Sequence, residues 1–270
     1  MDMDDLNARG LVLLGCGKMG SAMLEGWLGR GLAAGSVWVI DPNPSDWLKG
    51  LDGLNLNADL PPDPAIVLIA VKPQMMGEAL PTLAAVKGDT LFMSVAAGTP
   101  IRAYEAALGE DRRIVRAMPN TPAAIGRGIS AIVGNTHATP ADLDLAERLL
   151  AAVGQVVRLD SEDQMDGVTA VSGSGPAYVF HLIETLAAAG AAQGLAPDLA
   201  MQLAKATVGG AGALAEAAQD DPAQLRVNVT SPGGTTQAAL NVLMDEENGF
   251  PALLRRAVAA AADRSRELGA

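Results

Sequence analysis

Cysteine is nearly absent. Cys16 stands alone, so neither an internal disulfide nor a cysteine-rich zinc site can form. Histidine is almost as scarce: His137 lies in a Gly/Asn/Thr loop, and His181 sits on an apolar helical stretch where packing is its expected role. No His/Asp/Glu cluster has metal-ligand spacing and no GxSxG string occurs, so no metal and no hydrolytic triad are expected. Basic residues are too few for a nucleic-acid partner. With 19 Lys and Arg against 31 Asp and Glu, the net charge is −12 and no basic stripe is visible. An anionic ligand must therefore be held by local amides and a few cations, against the global field. No run approaches the ~20 apolar residues of a membrane span, and the acidic stretch Met1 to Arg9 lacks a positive leader region. A soluble, cytoplasmic protein with no membrane partner is the expectation. Aromatics make up 3%, which favours close helix packing over aromatic-rich sheets.

What is present suffices for a packed core: 49% of residues are hydrophobic and 19% charged. A length of 270 residues suggests two domains. Short apolar runs at Leu11–Leu14, Val37–Ile40, Ala65–Val71, Leu91–Val95 and Ile114–Met118 read as buried strands. Ile129–Val133 and Val156–Leu159 read as later ones, separated by a helix over Pro140–Val153. Helical stretches alternate with them, the first from Met19 to Leu28, so a mainly parallel sheet covered on both faces is expected. After about Asp160 the pattern changes to Ala/Leu-rich helices, near Gly175–Gln193, Pro197–Gln219, Thr235–Glu247 and Pro251–Leu268. The expected division is an α/β domain over 1–162 and an all-α domain over 163–270.

Gly15-Cys16-Gly17-Lys18-Met19-Gly20 follows the first strand and opens the first helix. The first glycine permits a tight turn, the second lets backbone approach a pyrophosphate, and the third allows close helix–strand packing. Any glycine-rich βα turn could carry this string. Its place between strand and helix, with Asp41 closing the next strand, favours a dinucleotide. Cys16 and Lys18 read as packing and solvent-facing residues. Asp41 stands about 20 residues beyond the last glycine, where a carboxylate commonly bonds the ribose 2′-OH of NAD. No Arg follows closely, and Lys49 is the first cation. Pro42 could instead turn Asp41 away and leave Asn43 and backbone amides to receive a 2′-phosphate. Val71-Lys72-Pro73-Gln74 and Ala96-Ala97-Gly98 each follow a strand, where open α/β sheets bind ligands. Lys72 taken alone reads equally as a solvated loop lysine.

Thr230-Ser231-Pro232-Gly233-Gly234-Thr235-Thr236 precedes an apolar helix and describes a second exposed helix N-terminus, suited to a carboxylate. A capped helix after a glycine loop fits the same residues. Gly173-Ser174-Gly175-Pro176 also leads into a helix, with Pro176 in its first turn.

These motifs coincide with one family. The stretch Leu225–Asp245, LRVNVTSPGGTTQAALNVLMD, resembles the signature of pyrroline-5-carboxylate reductases, and MPNTP at Met118–Pro122, VSGSGPAY at Val171–Tyr178, AVKP at Ala70–Pro73 and GCGKMG occur in the family's order. The resemblance covers nearly the whole chain. It implies hydride transfer from NADPH or NADH to 1-pyrroline-5-carboxylate, giving L-proline, the last step of proline biosynthesis. It also implies that the N-terminal domain is Rossmann-like and binds the dinucleotide, and that the helical domain builds a homodimer or larger homo-oligomer.

By the resemblance, the dinucleotide would lie on Gly15, Cys16, Gly17, Lys18, Met19 and Gly20, with Asp41, Asn43 and Asn57 near the adenosine end. Val71, Lys72, Pro73, Ala96 and Ala97 would border the nicotinamide half, with Asn228 reaching it from the helical domain. The substrate carboxylate would rest on Ser231, Gly234, Thr235 and Thr236. The Thr236 hydroxyl, bonding the ring nitrogen, and Ser231 would be the catalytic groups. Gln219 stands where some relatives carry Glu, beside Asp220 and Asp221, which leaves an acidic role there open. Rival readings are a reductase of another cyclic imine or 2-oxo acid on the same plan, or an idle protein that binds dinucleotide or vitamin B6 phosphate.

Overall fold

The computed structural model describes residues 3–269, with side chains from Asp5 onward. Helix α1 (Met3–Arg9) leads into β1 (Leu11–Leu14), α2 (Lys18–Leu28), β2 (Val37–Ile40), α3 (Asp46–Lys49) and β3 (Asn55–Leu56). Next come β4 (Ile66–Ile69), α4 (Met76–Ala79), β5 (Leu91–Ser94), α5 (Ile101–Leu108) and β6 (Arg113–Met118). The sheet is completed by β7 (Gly128–Gly134), α6 (Pro140–Leu150) and β8 (Gly154–Arg158). Six helices follow: α7 (Met165–Val168), α8 (Gly175–Ala192), α9 (Pro197–Ala217), α10 (Pro222–Asn228), α11 (Thr235–Leu243) and α12 (Phe250–Leu268).

The eight strands form one sheet in the order β3-β2-β1-β4-β5-β6-β7-β8, parallel except where β7 runs against β6. This is the mainly parallel sheet the alternating pattern implied, in the Rossmann-like form implied by the family resemblance. Its strands are apolar throughout because both faces are covered. Leu11, Leu13, Val37, Val39, Ile66 and Leu68 pack into the core on one face, and Val12, Leu14, Val67 and Ile69 into the core on the other. That period of two follows from strand geometry. Each such side chain contributes roughly 1.5–3 kcal/mol by leaving water. On the first face, the buried Trp27 of α2 donates its indole N–H to the Leu149 carbonyl of α6 at 2.9 Å, satisfying a polar atom in the core.

Several expected boundaries move. The helix expected to reach Gln219 stops at Ala217, because Asp221 caps a new helix with Pro222 in its first turn; α10 was not expected. The helix expected to reach Glu247 stops at Leu243, where the Asp245 carboxylate accepts the N–H groups of Glu247 and Asn248. Those bonds hold the Asp245 carboxyl below its ordinary pKa. Before Gly175, where no helix was expected, α7 continues as a π-helical turn over Thr169–Gly173.

The chain forms two compact units. One runs through Gly173 and regains the chain from Ala262 onward, and the other is Ser174–Ala261. The first therefore extends beyond the expected limit at Glu162. In the second, α8 and α9 pack together, yet Phe180, Leu186, Leu203 and Leu214 remain exposed on the single chain. His181 does not pack inside: it is exposed, with Nδ1 3.1 Å from Glu184.

Asp142 illustrates how the α/β unit is held together at its edge. Its carboxylate caps α6 reciprocally with Thr139 and accepts a 2.9 Å bond from Arg113 while itself buried. Asp142→Ala removes the carboxylate half of this capping box and one of the two acidic partners of the half-buried Arg113 guanidinium. A loss of roughly 2–4 kcal/mol is expected, read as a fall in thermal unfolding temperature. A variant that unfolds at the wild-type temperature contradicts this assignment.

Candidate active site

The turn after β1 is shaped by its glycines. Gly15 has φ of +88°, and a Cβ there would lie 2.8 Å from Val71 Cγ1. A Cβ on Gly20 would lie 2.7 Å from the Gly15 carbonyl oxygen. Gly17 faces open space, with no atom within 4 Å of an added Cβ. It is also the N-cap of α2 and has no side chain to cap with. The first helical bond runs from Ser21 N–H to Gly17 O, so the amides of Lys18, Met19 and Gly20 have no helical partner. Free amides, a helix dipole and an open front form a cradle for a pyrophosphate. Lys18 is exposed and Cys16 is buried. Burial pushes the Cys16 thiol pKa up, and nearby Asp41 adds to this, so the thiol stays protonated at neutral pH.

Asp41 is not turned away by Pro42. One carboxylate oxygen accepts Cys16 N–H at 2.8 Å and the other accepts Asn43 N–H at 2.8 Å. Asn57, in the left-handed region at φ 51°, clamps the Asp41 backbone: it accepts Asp41 N–H and donates to Asp41 O, both at 2.9 Å. Asp41, Asn43 and Asn57 are thus joined to the phosphate turn. Ala70 N–H bonds Leu14 O, which brings the segment leading to Val71, Lys72 and Pro73 beside that turn. Val71 is buried behind Gly15, whereas Lys72 and Pro73 are exposed at the start of a 3₁₀ turn. Ala96 is buried and Ala97 half-buried in the loop after β5, at the same carboxyl edge of the sheet.

The other expected residues lie in the second unit. Gly233 adopts φ of +68°, Gly234 caps α11 through its backbone, and Gly234 N–H bonds Ser231 O at 3.0 Å. Ser231, Thr235 and Thr236 are exposed around this helix N-terminus. Asn228, at the end of α10, accepts from Gln224 and donates to Asp220, and Asp221 caps α10. The two acids beside Gln219 therefore both serve local structure. Apart from Asn228, which lies in the second unit, the residues expected at the cofactor all lie in the first unit, and those expected at the substrate all lie in the second.

Sequence reasoning missed Ser94 and Tyr104, buried beneath the Ala96–Ala97 segment, and the Arg116–Glu162 ion pair beside them. Only the polar residue closing an apolar strand, Ser94, hinted at this cluster.

Comparison with known proteins decides between family readings. The chain is 40% identical to the pyrroline-5-carboxylate reductase of Pseudomonas aeruginosa over 264 residues, covering 96% of each chain. It belongs to the pyrroline-5-carboxylate reductase family. Residues 162–268 match the family model for pyrroline-5-carboxylate reductase dimerisation, and residues 11–98 match the model for coenzyme F420-dependent NADP oxidoreductases. The Escherichia coli pyrroline-5-carboxylate reductase is 34% identical, with 94% of this chain and 96% of that one aligned. Among solved structures, the Coxiella burnetii reductase superimposes with a TM-score of 0.87 at 33% identity, covering 97% of this chain and 99% of that one. The Plasmodium falciparum reductase, solved with NADP bound, gives 0.80 at 29% identity, covering 98% and 99%. A member of this family is an oxidoreductase, and its Rossmann-like unit and helical unit are those of its relatives.

The glycines separate binding from folding. Gly17→Ala should leave thermal stability unchanged and weaken dinucleotide binding by roughly tenfold, about 1.4 kcal/mol, because its Cβ projects only into the cradle. Gly20→Ala should lower stability by roughly 1–3 kcal/mol through its clash with Gly15. Equal effects of the two on unfolding temperature would refute this division of roles.

Proposed function

We propose that the protein reduces 1-pyrroline-5-carboxylate to L-proline at the expense of NADH or NADPH, as a cytoplasmic homodimer or larger homo-oligomer. The observation that carries this is full-length similarity to named reductases of that imine, with the phosphate cradle and the TSPGGTT helix start both intact. Among the described residues no helix is long and apolar enough to cross a membrane, and no group of three His, Cys, Asp or Glu could hold a metal ion. The exposed apolar residues of α8 and α9 supply the face a second copy would cover.

The cofactor, when bound, supplies the hydride. The chain's own part is positioning and electrostatics. The α2 amides and Gly17 would hold the pyrophosphate, and Val71, Lys72, Pro73, Ala96 and Ala97 would border the nicotinamide half. Ser231, Gly234, Thr235 and Thr236 receive the substrate carboxylate at the N-terminus of α11. The substrate reacts as the protonated iminium, which already carries its N–H proton; the Thr236 hydroxyl would bond this ring nitrogen group as the C=N π electrons become the amine lone pair and C5 accepts the hydride. Asp41 places a carboxylate at the ribose, where a 2′-phosphate would meet like charge. NADH is therefore the preferred donor.

Parallel assays of NADH and NADPH consumption with 1-pyrroline-5-carboxylate, with proline identified as product, test the reading. Turnover that persists in EDTA is expected; activity lost to the chelator and restored by a divalent ion would contradict it. Turnover only of other imines or of 2-oxo acids would favour the rival reductase. Thr236→Ala should lower kcat/KM by roughly 10–1000-fold, with partial recovery in Thr236→Ser. Wild-type kinetics in the alanine variant would remove Thr236 from the site.

In the same assay, Asp41→Ser should shift the ratio of catalytic efficiencies toward NADPH. A wild type that strongly favours NADPH, with the ratio unmoved by the substitution, would show that Asp41 does not read the ribose.

A further inference from the structure

The loop 95–100 leaves β5 at the carboxyl edge of the sheet, and buried polar groups converge beneath it. Ser94 is 1% exposed, and its Oγ lies 2.5 Å from the Tyr104 hydroxyl. The same oxygen accepts Ala96 N–H at 3.2 Å. Tyr104 itself is fully buried in α5. In the next strand, Arg116 lies opposite Ser94 in register and is almost fully buried. Its Nη1 donates at 2.6 Å to Glu162, which also accepts the N–H of Ile101, the first residue of α5, at 2.9 Å. On the outer side, Gly98 has φ of +74°, and a Cβ there would lie 2.8 Å from Leu268 Cβ. The loop is fixed at both ends and backed from outside.

Burying a phenol, a serine and an ion pair in one place is a poor way to gain bulk stability, because each polar group must recover its lost hydration. Apolar side chains of similar volume would hold a core as well. A fully bonded polar network does supply a single defined geometry. We infer that Tyr104, acting through Ser94, is a positioning residue that sets the Ala96–Ala97 backbone against the nicotinamide ring. This rests on the reading in which Ala96 and Ala97 border that ring. Tyr104 touches neither cofactor nor substrate. Burial raises its pKa, so it acts as a neutral hydroxyl and moves no proton in the reaction.

The test compares the full-length wild type with Tyr104→Phe and Ser94→Ala, using two probes: NADH, and ADP-ribose, which lacks the nicotinamide ring. Tyr104→Phe should weaken NADH binding by roughly 3–10-fold, the scale of one lost hydrogen bond, and leave ADP-ribose within about twofold. The deuterium isotope effect on kcat with 4-deuterated NADH should rise, while KM for 1-pyrroline-5-carboxylate stays within about twofold. A merely structural role would lower the unfolding temperature and weaken both probes alike, and that result overturns the inference. So does unchanged binding of both. If Tyr104→Phe does not fold, Ser94→Ala is read against the same two outcomes. A wild type that binds NADH but turns over no imine would defeat the proposed reaction, while the comparison of the two probes would still judge the role of Tyr104.

Discussion

The bond from Cys16 N–H to the Asp41 carboxylate joins the turns that follow β1 and β2, and the carboxyl edge of the sheet is organised around that join. It holds only because Asn57 fixes the Asp41 backbone from the far side and because Gly15 takes a left-handed conformation that puts the Cys16 amide within reach. Once the join is made, the amides of α2 point outward from the same edge. In a parallel sheet every turn following a strand emerges there. The segments carrying Lys72 and Ala96 arrive at that edge by strand pairing and need no contact of their own to find it. An acidic chain of net charge −12 can receive a phosphate there because local amides and one helix dipole act at contact distance, where they outweigh distant, screened charges.

The helical unit obeys a different constraint. Its helices are rich in small residues and pack closely, yet they leave large apolar side chains on the outside of a single chain. Covering those faces by self-association is what the dimerisation model over residues 162–268 describes for the family. The helix N-terminus at Thr235 needs no such cover. Its glycine turn is set locally by Gly233 and by the bond between Gly234 and Ser231.

Much of this was legible in the sequence because it is local. The apolar strands and the GxGxxG turn depend on neighbours only a few residues apart, and each expected strand lies within two residues of its place; β3 was not expected, and the helix expected over Pro140–Val153 ends at Leu150. The cradle residues were legible for the same reason. What escaped is of two kinds. Helix α10 was missed although Asp221-Pro222 announces it, because the acids beside Gln219 were read for chemistry and not for capping. The Ser94–Tyr104 bond, the Arg116–Glu162 pair and the return of the chain end to the first unit could not be read from spacing. They join residues 10, 46 and about 170 positions apart through the fold alone. The π turn over Thr169–Gly173 escaped with them: the helix was expected to begin only at Gly175.

The dinucleotide is expected along the carboxyl edge of the sheet, and every role given to the residues there depends on that placement. Backbone hydrogen exchange of the full-length protein, with and without saturating NADH, measures this directly. Slowed exchange is expected at residues 15–20, 41–43, 70–73 and 96–98, with α6 and β8 unchanged. Protection confined to α6 and β8, or none over residues 15–20 when NADH is bound, would contradict it.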